Sequence, residues 1–271
     1  VAPRRRQGGL TVASDFHQIR DHILRLHRIK GDPALKHLDL AQLGAMLSVE
    51  EPPRIETHRN GGLQRRAGRW QDALIEEELP EGASVLDLGC GHGELLARLI
   101  ASKGIRAQGI ELDPEAVAAC VERGVAVFQA DLDEGLRGFA DRSFDYVILE
   151  ETLPTLRRPI EVLEEMLRVG RFGIVSFPNF AHWRVRIDLA IQGRMPRTER
   201  LPDEWHETAN IRLFTIRDFI DWAIGNDVEI LGGHVLADGK LRKFSEADNL
   251  FAEEALLIVA REGAIEREMK I

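Results

Sequence analysis

The chain has 271 residues, 44% of them hydrophobic and 30% charged, enough for one large domain with an appendage. Its 45 acidic residues outnumber 36 basic ones for a formal net charge of -9, which argues against a sequence-independent grip on a nucleic-acid backbone. No window approaches the roughly 18 consecutive apolar residues of a membrane-spanning helix, and the two cysteines, Cys90 and Cys120, fit neither a disulfide framework nor a zinc spacing. The expectation is a cytoplasmic protein that needs no membrane, nucleic acid or metal.

The opening "VAPRRRQGGL" is basic and lacks the apolar segment of a secretory signal, so it reads as a disordered leader. From Asp15 to about Lys30, Phe16, Ile19, Ile23, Leu24 and Leu26 recur at helical spacing, and "LDLAQLGAML" continues the pattern up to Pro52 and Pro53. Residues 1–60 are therefore expected to form an N-terminal helical extension. The main domain is expected over 61–262, with an insertion at 180–214 and a tail at 263–271.

After Trp70 the rhythm changes. "SVLDLG", "AQGIEL", "AVFQAD", "FDYVILE" and "FGIVSFP" are short, rich in Val, Ile and Phe, and separated by "GELLARLIASKG", "PEAVAACVERG" and "RPIEVLEEMLRVG". Strands alternating with amphipathic helices predict βαβ units and an α/β fold, a mostly parallel sheet with helices on both faces. Past the insertion come a helix at "TIRDFIDWAI" and two strand-like runs near 228 and 256, joined by an irregular polar stretch and expected to pair antiparallel.

The stretch "VLDLGCGHGELL" places Gly89, Gly91 and Gly93 between a strand and a helix. Such a backbone turns sharply and lets a ligand touch the main chain, while the helix N-terminus attracts an anion. Glu94 occupies the position where the dinucleotide fingerprint needs its third glycine, and a phosphate loop of Walker type would need Lys followed by Ser or Thr. A nicotinamide-dependent oxidoreductase thereby recedes. Asp87, just before the loop, repels a pyrophosphate but suits a cation. S-adenosylmethionine meets these demands, with its carboxylate at the amides and its ammonium and sulfonium near Asp87.

Glu111 ends the second strand where a carboxylate can accept bonds from ribose hydroxyls, with Leu112 flanking the adenine. Asp131, at the end of the third, can accept from the adenine amino group while the Leu132 N–H serves a ring nitrogen. The expected cofactor set is Asp87, Gly89, Cys90, Gly91, Gly93, Glu111, Leu112, Asp131, Leu132 and Glu150. Taken singly, these features have ordinary readings: a glycine turn, a surface acid, and for Asp113 a helix cap before Pro114, which is the reading adopted for it. Their order at successive strand ends carries the ligand assignment.

Together, "VLDLGCGHGELL", "GIELDP", "QADLDEGL" and "SFDYVILEETL" resemble class I S-adenosylmethionine-dependent methyltransferases. From about Trp70 to Arg261, "SFPNFAHWRVR", "GRMP" and "LPDEWHETANIRLFTIRDF" resemble more narrowly the methionine biosynthesis protein MetW family. The resemblance implies a Rossmann-like seven-stranded sheet with an antiparallel last strand, and association with homoserine O-acyltransferase. "LEETLP" and "WHETANIR" depart from the "LSQTLQ" and "WYDTPNIH" expected of the family, beside the presumed acceptor pocket.

Methyl transfer from a sulfonium is an in-line displacement, so the protein chiefly holds a small-molecule acceptor in line. Candidate catalytic groups are His182, Asn179 and Glu150, and candidate acceptor contacts are Asn179, His182, Trp183, Trp205, His206 and Asn210. Arg212 is a further polar group of the insertion, and "HWRVRIDLAIQG" is an amphipathic helix suited to a lid, a partner surface or a solvated face. A partner that responds to the cofactor without methyl transfer is the alternative to an enzyme.

Overall fold

The computed structural model describes residues 69–263, together with positions 18 and 21. The expected extension over 1–60, save those two positions, and all but the first residue of the 263–271 tail lie outside the described residues. The chain divides into two compact units. The described part of one is His182–Pro202 and positions 18 and 21; that of the other is 69–181 with 203–263.

The larger unit holds β1 (Ser84–Leu88), β2 (Arg106–Glu111), β3 (Ala126–Gln129), β4 (Phe144–Glu150), β5 (Gly170–Pro178), β6 (Val228–Ala237), β7 (Lys240–Lys243) and β8 (Glu254–Arg261). They form one sheet in the order β3-β2-β1-β4-β5-β8-β6-β7. The first five strands are mutually parallel, with Asp87 level with Gly109 on one side and Ile148 on the other. β8 runs antiparallel to both β5 and β6. The antiparallel last strand and the pairing of the runs near 228 and 256 are as expected. The sheet has eight strands where seven were expected, because Lys240–Lys243 folds back on β6 as a hairpin. Its sequence, KLRK, is exposed throughout and gives no alternation of apolar and polar residues to read.

Helices α1 (Trp70–Glu78), α2 (Glu94–Lys103), α3 (Pro114–Glu122), α4 (Pro159–Val169) and α6 (Ile216–Gly225) belong to this unit, and α5 (Trp183–Gln192) to the other. Alternating strand residues feed two cores. Val85, Ile148, Ile174 and Leu256 pack with Ile75 and Leu79 of α1 and Leu95, Leu96 and Leu99 of α2. Leu86, Val147, Leu149, Val175 and Leu257 pack with Leu163 and Met166 of α4 and Phe219 of α6. Burying one such leucine stabilises by about 1.5–3 kcal/mol, and the period-2 alternation of strand side chains sends neighbours to opposite layers.

The helix starts follow local chemistry. Pro114 and Pro159 sit at first-turn positions where a missing N–H is harmless. Asp113 caps α3 by accepting the Glu115 N–H at 3.1 Å, the role read for it from sequence. Thr215 and Asp218 form a reciprocal capping box at α6. The parallel pairing of the first strands brings the ends of β1, β2, β3 and β4 to one edge of the sheet.

Candidate cofactor site

At that edge, β1 runs through Asp87 into the glycine loop. Gly89 and Gly93 have φ values of +79° and +74°, a region that a side chain disfavours. Space is equally restrictive. A Cβ on Gly89 would lie 2.7 Å from Thr152 Oγ1, and one on Gly93 would lie 2.8 Å from Cys120 Sγ. Gly93 is the N-cap of α2 and has no side chain with which to satisfy the first-turn N–H groups, so these remain suited to an anion.

The Glu111 carboxylate closes over this loop. Its Oε2 accepts the Gly91 N–H at 2.7 Å, and its Oε1 accepts those of Leu112 at 2.8 Å and Asp113 at 3.0 Å. Three of a carboxylate's roughly four acceptor positions are filled. Leu112 beside it is 60% exposed, a large apolar face at a strand end. Asp131 caps the 132–134 turn through Oδ1, accepting the Asp133 N–H at 2.9 Å, while Oδ2 meets Arg157 Nη2 at 2.7 Å. Leu132 is buried in the core below.

The two thiols meet under the loop. Cys90 Sγ and Cys120 Sγ are 3.8 Å apart, and Cys120 donates to the Gly91 carbonyl at 3.1 Å. Burial pushes the Cys120 thiol up, against the hydrogen bond with Cys90, and the Glu111 and Asp87 carboxylates raise it further. The Cys120 thiol therefore stays protonated, and both buried side chains pack beneath the loop.

The bare main chain at Gly89–Gly93, the uncapped α2 start, the exposed Leu112 and the carboxylates of Asp87, Glu111 and Asp131 fit a zwitterionic adenosyl compound. Residues 69–259 match the family described as methionine biosynthesis protein MetW. The chain belongs to that family. It is 40% identical over 200 residues to the bifunctional methionine biosynthesis protein MetXA/MetW of Rhodopirellula baltica, covering 69% of this chain and 32% of that protein. It is 31% identical over 140 residues to the 2-methyl-6-phytyl-1,4-hydroquinone methyltransferase of a Synechocystis strain, covering 49% of this chain and 43% of that one. The chain thus spans less than half the length of either relative.

Among solved structures, a SAM-dependent methyltransferase from Thermotoga maritima, described as a possible histamine N-methyltransferase, superposes with a TM-score of 0.53 at 17% identity over 71% of this chain and 87% of that one. The putative methyltransferase in a complex with the Trm112 activator of Haloferax volcanii gives 0.52 at 18% identity over 71% and 90%. These likenesses establish the methyltransferase fold. The MetW domain is a methionine-biosynthesis family built on it.

The acceptor-side candidates are divided between the two units. Asn179 is 1% exposed, and its amide is fully used within the fold. Nδ2 donates to the carbonyls of Asn249 and Ala252 at 3.0 and 2.8 Å, and Oδ1 accepts the N–H groups of Ala181 and Ile216 at 3.1 and 3.2 Å. It fastens the end of β5 to the start of α6 and leaves its amide nothing to offer a substrate. His182 and Trp183 are buried at the start of α5, rings 5.6 Å apart, in the smaller unit. Trp205 is 72% exposed with His206 beside it, ring centroids 5.2 Å apart, and the Asn210 N–H is tied to Thr208 Oγ1 at 3.1 Å.

Glu150, at the end of β4, is 2% exposed and faces Arg69 Nη2 at 2.8 Å, while Glu151 takes Arg69 Nη1 at 2.5 Å. Glu151 has a φ of +52°, uncommon for a side chain of this size, and its N–H is held by the Ser176 carbonyl and hydroxyl, both at 3.1 Å. Gln71 donates to Glu151 at 3.1 Å and to Glu254 at 3.3 Å, and Trp70 Nε1 donates to Glu254 at 2.5 Å. Sequence reasoning missed Arg69, Thr152 and Arg157. Thr152 sits just past a strand end, a signal that could have found it. Arg69 and Arg157 carry no local signal, since both act through residues 24 or more positions away.

Proposed function

We propose that this MetW domain binds S-adenosylmethionine at the ends of β1, β2 and β3 and transfers its methyl group to a small-molecule acceptor in methionine biosynthesis, in the cytoplasm. The observation that carries the reading is the Glu111 carboxylate, braced by the Gly91 N–H at 2.7 Å beside an exposed Leu112. Glu111 and the glycine loop thus form one rigid piece that receives ribose and the methionyl part together. When bound, the sulfonium supplies an electrophilic methyl group. The protein's share is to hold the adenosyl group and to align an acceptor in line with it. In this reading Asp87 balances the cationic centre, the first-turn N–H groups of α2 take the carboxylate, and Asp131 and the Leu132 N–H read the adenine edge.

A second reading is a cofactor-responsive partner of homoserine O-acyltransferase. Two observations favour it: the R. baltica relative joins a MetXA and a MetW part in one protein, and the strand-end acid Glu150 is engaged by Arg69. Calorimetry with S-adenosylmethionine, S-adenosylhomocysteine and NAD tests the site. Binding of the first two but not NAD is expected, and no heat from either removes both readings. Turnover of the methyl donor on a panel of amino acids and thiols then separates the enzyme from the partner, for which co-purification with a homoserine acyltransferase and no turnover is the expected pattern.

A further inference from the structure

Asp131 meets a cation of its own chain. Its Oδ2 takes Arg157 Nη2 at 2.7 Å, while Oδ1 is committed to the Asp133 N–H. The Arg157 side chain is 68% exposed, so this contact is open to exchange with solvent. The backbone beneath it is not. The N–H groups of Arg157 and Arg158 donate to Asp133 at 3.1 and 2.7 Å, those of Ile211 and Arg212 both donate to the Pro154 carbonyl at 2.9 Å, and Arg212 Nη2 reaches the Arg157 carbonyl at 2.6 Å. Arg157 Nε also bonds Asp133 at 3.1 Å. The guanidinium can therefore swing its Nη2 away from Asp131 while the loop stays in place.

We propose that Arg157 is a specificity-determining residue that competes with the nucleoside for Asp131: its Nη2–H occupies the place on Oδ2 that the exocyclic amino group of an adenosyl ligand takes. The inference rests on the cofactor reading above. It has a chemical consequence. An adenine amino group is a donor, as the guanidinium is, and contends with it for Asp131. A 6-oxopurine presents an acceptor at the same position, which Asp131 repels but a guanidinium welcomes. Arg157 thus weakens the adenosyl ligand and spares the inosyl one, lowering the discrimination between them.

The test is calorimetry on the full chain with S-adenosylhomocysteine and its deaminated inosyl analogue, for wild type, Arg157→Ala and Arg157→Lys. An exposed ion pair is a weak competitor, so Arg157→Ala is expected to bind the adenosyl ligand about two- to five-fold more tightly at low salt. The gain should shrink at high ionic strength, where the pair is already screened. The inosyl ligand should bind more weakly to Arg157→Ala than to wild type, and Arg157→Lys should lie nearer wild type for both. Wild-type binding with no adenosyl gain in Arg157→Ala, or an equal change for both ligands, overturns the inference alone. No binding of either ligand to any of the three proteins overturns the cofactor reading and takes the inference with it. Thermal melts confirm that the variants fold, since the loop keeps its backbone bonds.

Discussion

Glu111 Oε2 and the Gly91 N–H lie 2.7 Å apart, which ties the end of the second strand to the loop that follows the first. A charge-assisted hydrogen bond of this kind is stronger than a neutral one, and it holds the Glu111 carboxylate against the glycine loop.

Replacing Glu111 by Ala removes both the brace and the ribose acceptor proposed above. Binding of S-adenosylhomocysteine should weaken by about 10- to 100-fold, the equivalent of losing one or two bonds to a charged group. Glu111→Gln keeps the shape and should fall between Ala and wild type. Unchanged affinity in the Ala variant, measured by calorimetry, contradicts the placement of the ribose.

Gly93→Ala meets two obstacles: a φ of +74° and a Cβ that would lie 2.8 Å from Cys120 Sγ. The expected loss of stability is roughly 2 kcal/mol by urea unfolding. Adding Cys120→Ala relieves the contact but not the backbone conformation, so the double variant should recover only part of the loss. Full recovery would show that space alone demands the glycine.

Arg69 holds the neighbouring carboxylates Glu150 and Glu151. Removing it leaves a buried carboxylate beside another of like charge, so Arg69→Ala should destabilise by about 3 kcal/mol. Pairing it with Glu151→Gln removes one of the two neighbouring like charges and should restore part of that. A loss under about 0.5 kcal/mol, the range of ordinary surface changes, would mean that water replaces the guanidinium without cost.

Acid sensitivity should concentrate in the carboxylates that arginines and backbone N–H groups hold ionised. Hydrogen bonds from the Arg168 guanidinium, at 2.7 and 2.9 Å, hold the Glu165 carboxyl below its ordinary value, against burial and with help from the Leu136 N–H. At Asp133 burial is the largest single influence and pushes up, but the N–H groups of Arg157 and Arg158 and the Arg157 guanidinium together outweigh it. A carboxyl lowered in the folded state stabilises above its unfolded value near about 4 and loses that contribution as pH falls through the folded value. Thermal melts should therefore be level from neutral pH to about 5 and fall below about 4. Glu165→Gln should lower the midpoint at neutral pH and flatten the acid limb; an unchanged acid limb would assign the loss to other groups.

The α/β fold, the parallel order of the first strands, the antiparallel end and the glycine loop could all be read from the chain, because each depends on residues close in sequence. Short runs rich in Val, Ile and Phe fix strands, prolines and glycines fix helix ends, and Asp113 caps the helix whose second residue it bonds. The short hairpin strand at Lys240–Lys243 escaped because exposed basic residues carry no period.

What tertiary structure alone decided is which polar groups spend their hydrogen bonds on the protein itself. Asn179 looked available for a substrate and proved to be a fastener among Ala181, Ile216, Asn249 and Ala252. Glu150 looked like a strand-end acid and proved to face Arg69, 81 residues earlier, and Asp131 carries Arg157. The sequence by itself determined where chemistry-bearing groups fall along their strands and loops, since local propensity and periodicity are properties of neighbouring residues. Their partners are set by distances that exist only after the sheet has closed, and a hydrogen bond made within the fold is one no longer open to a ligand.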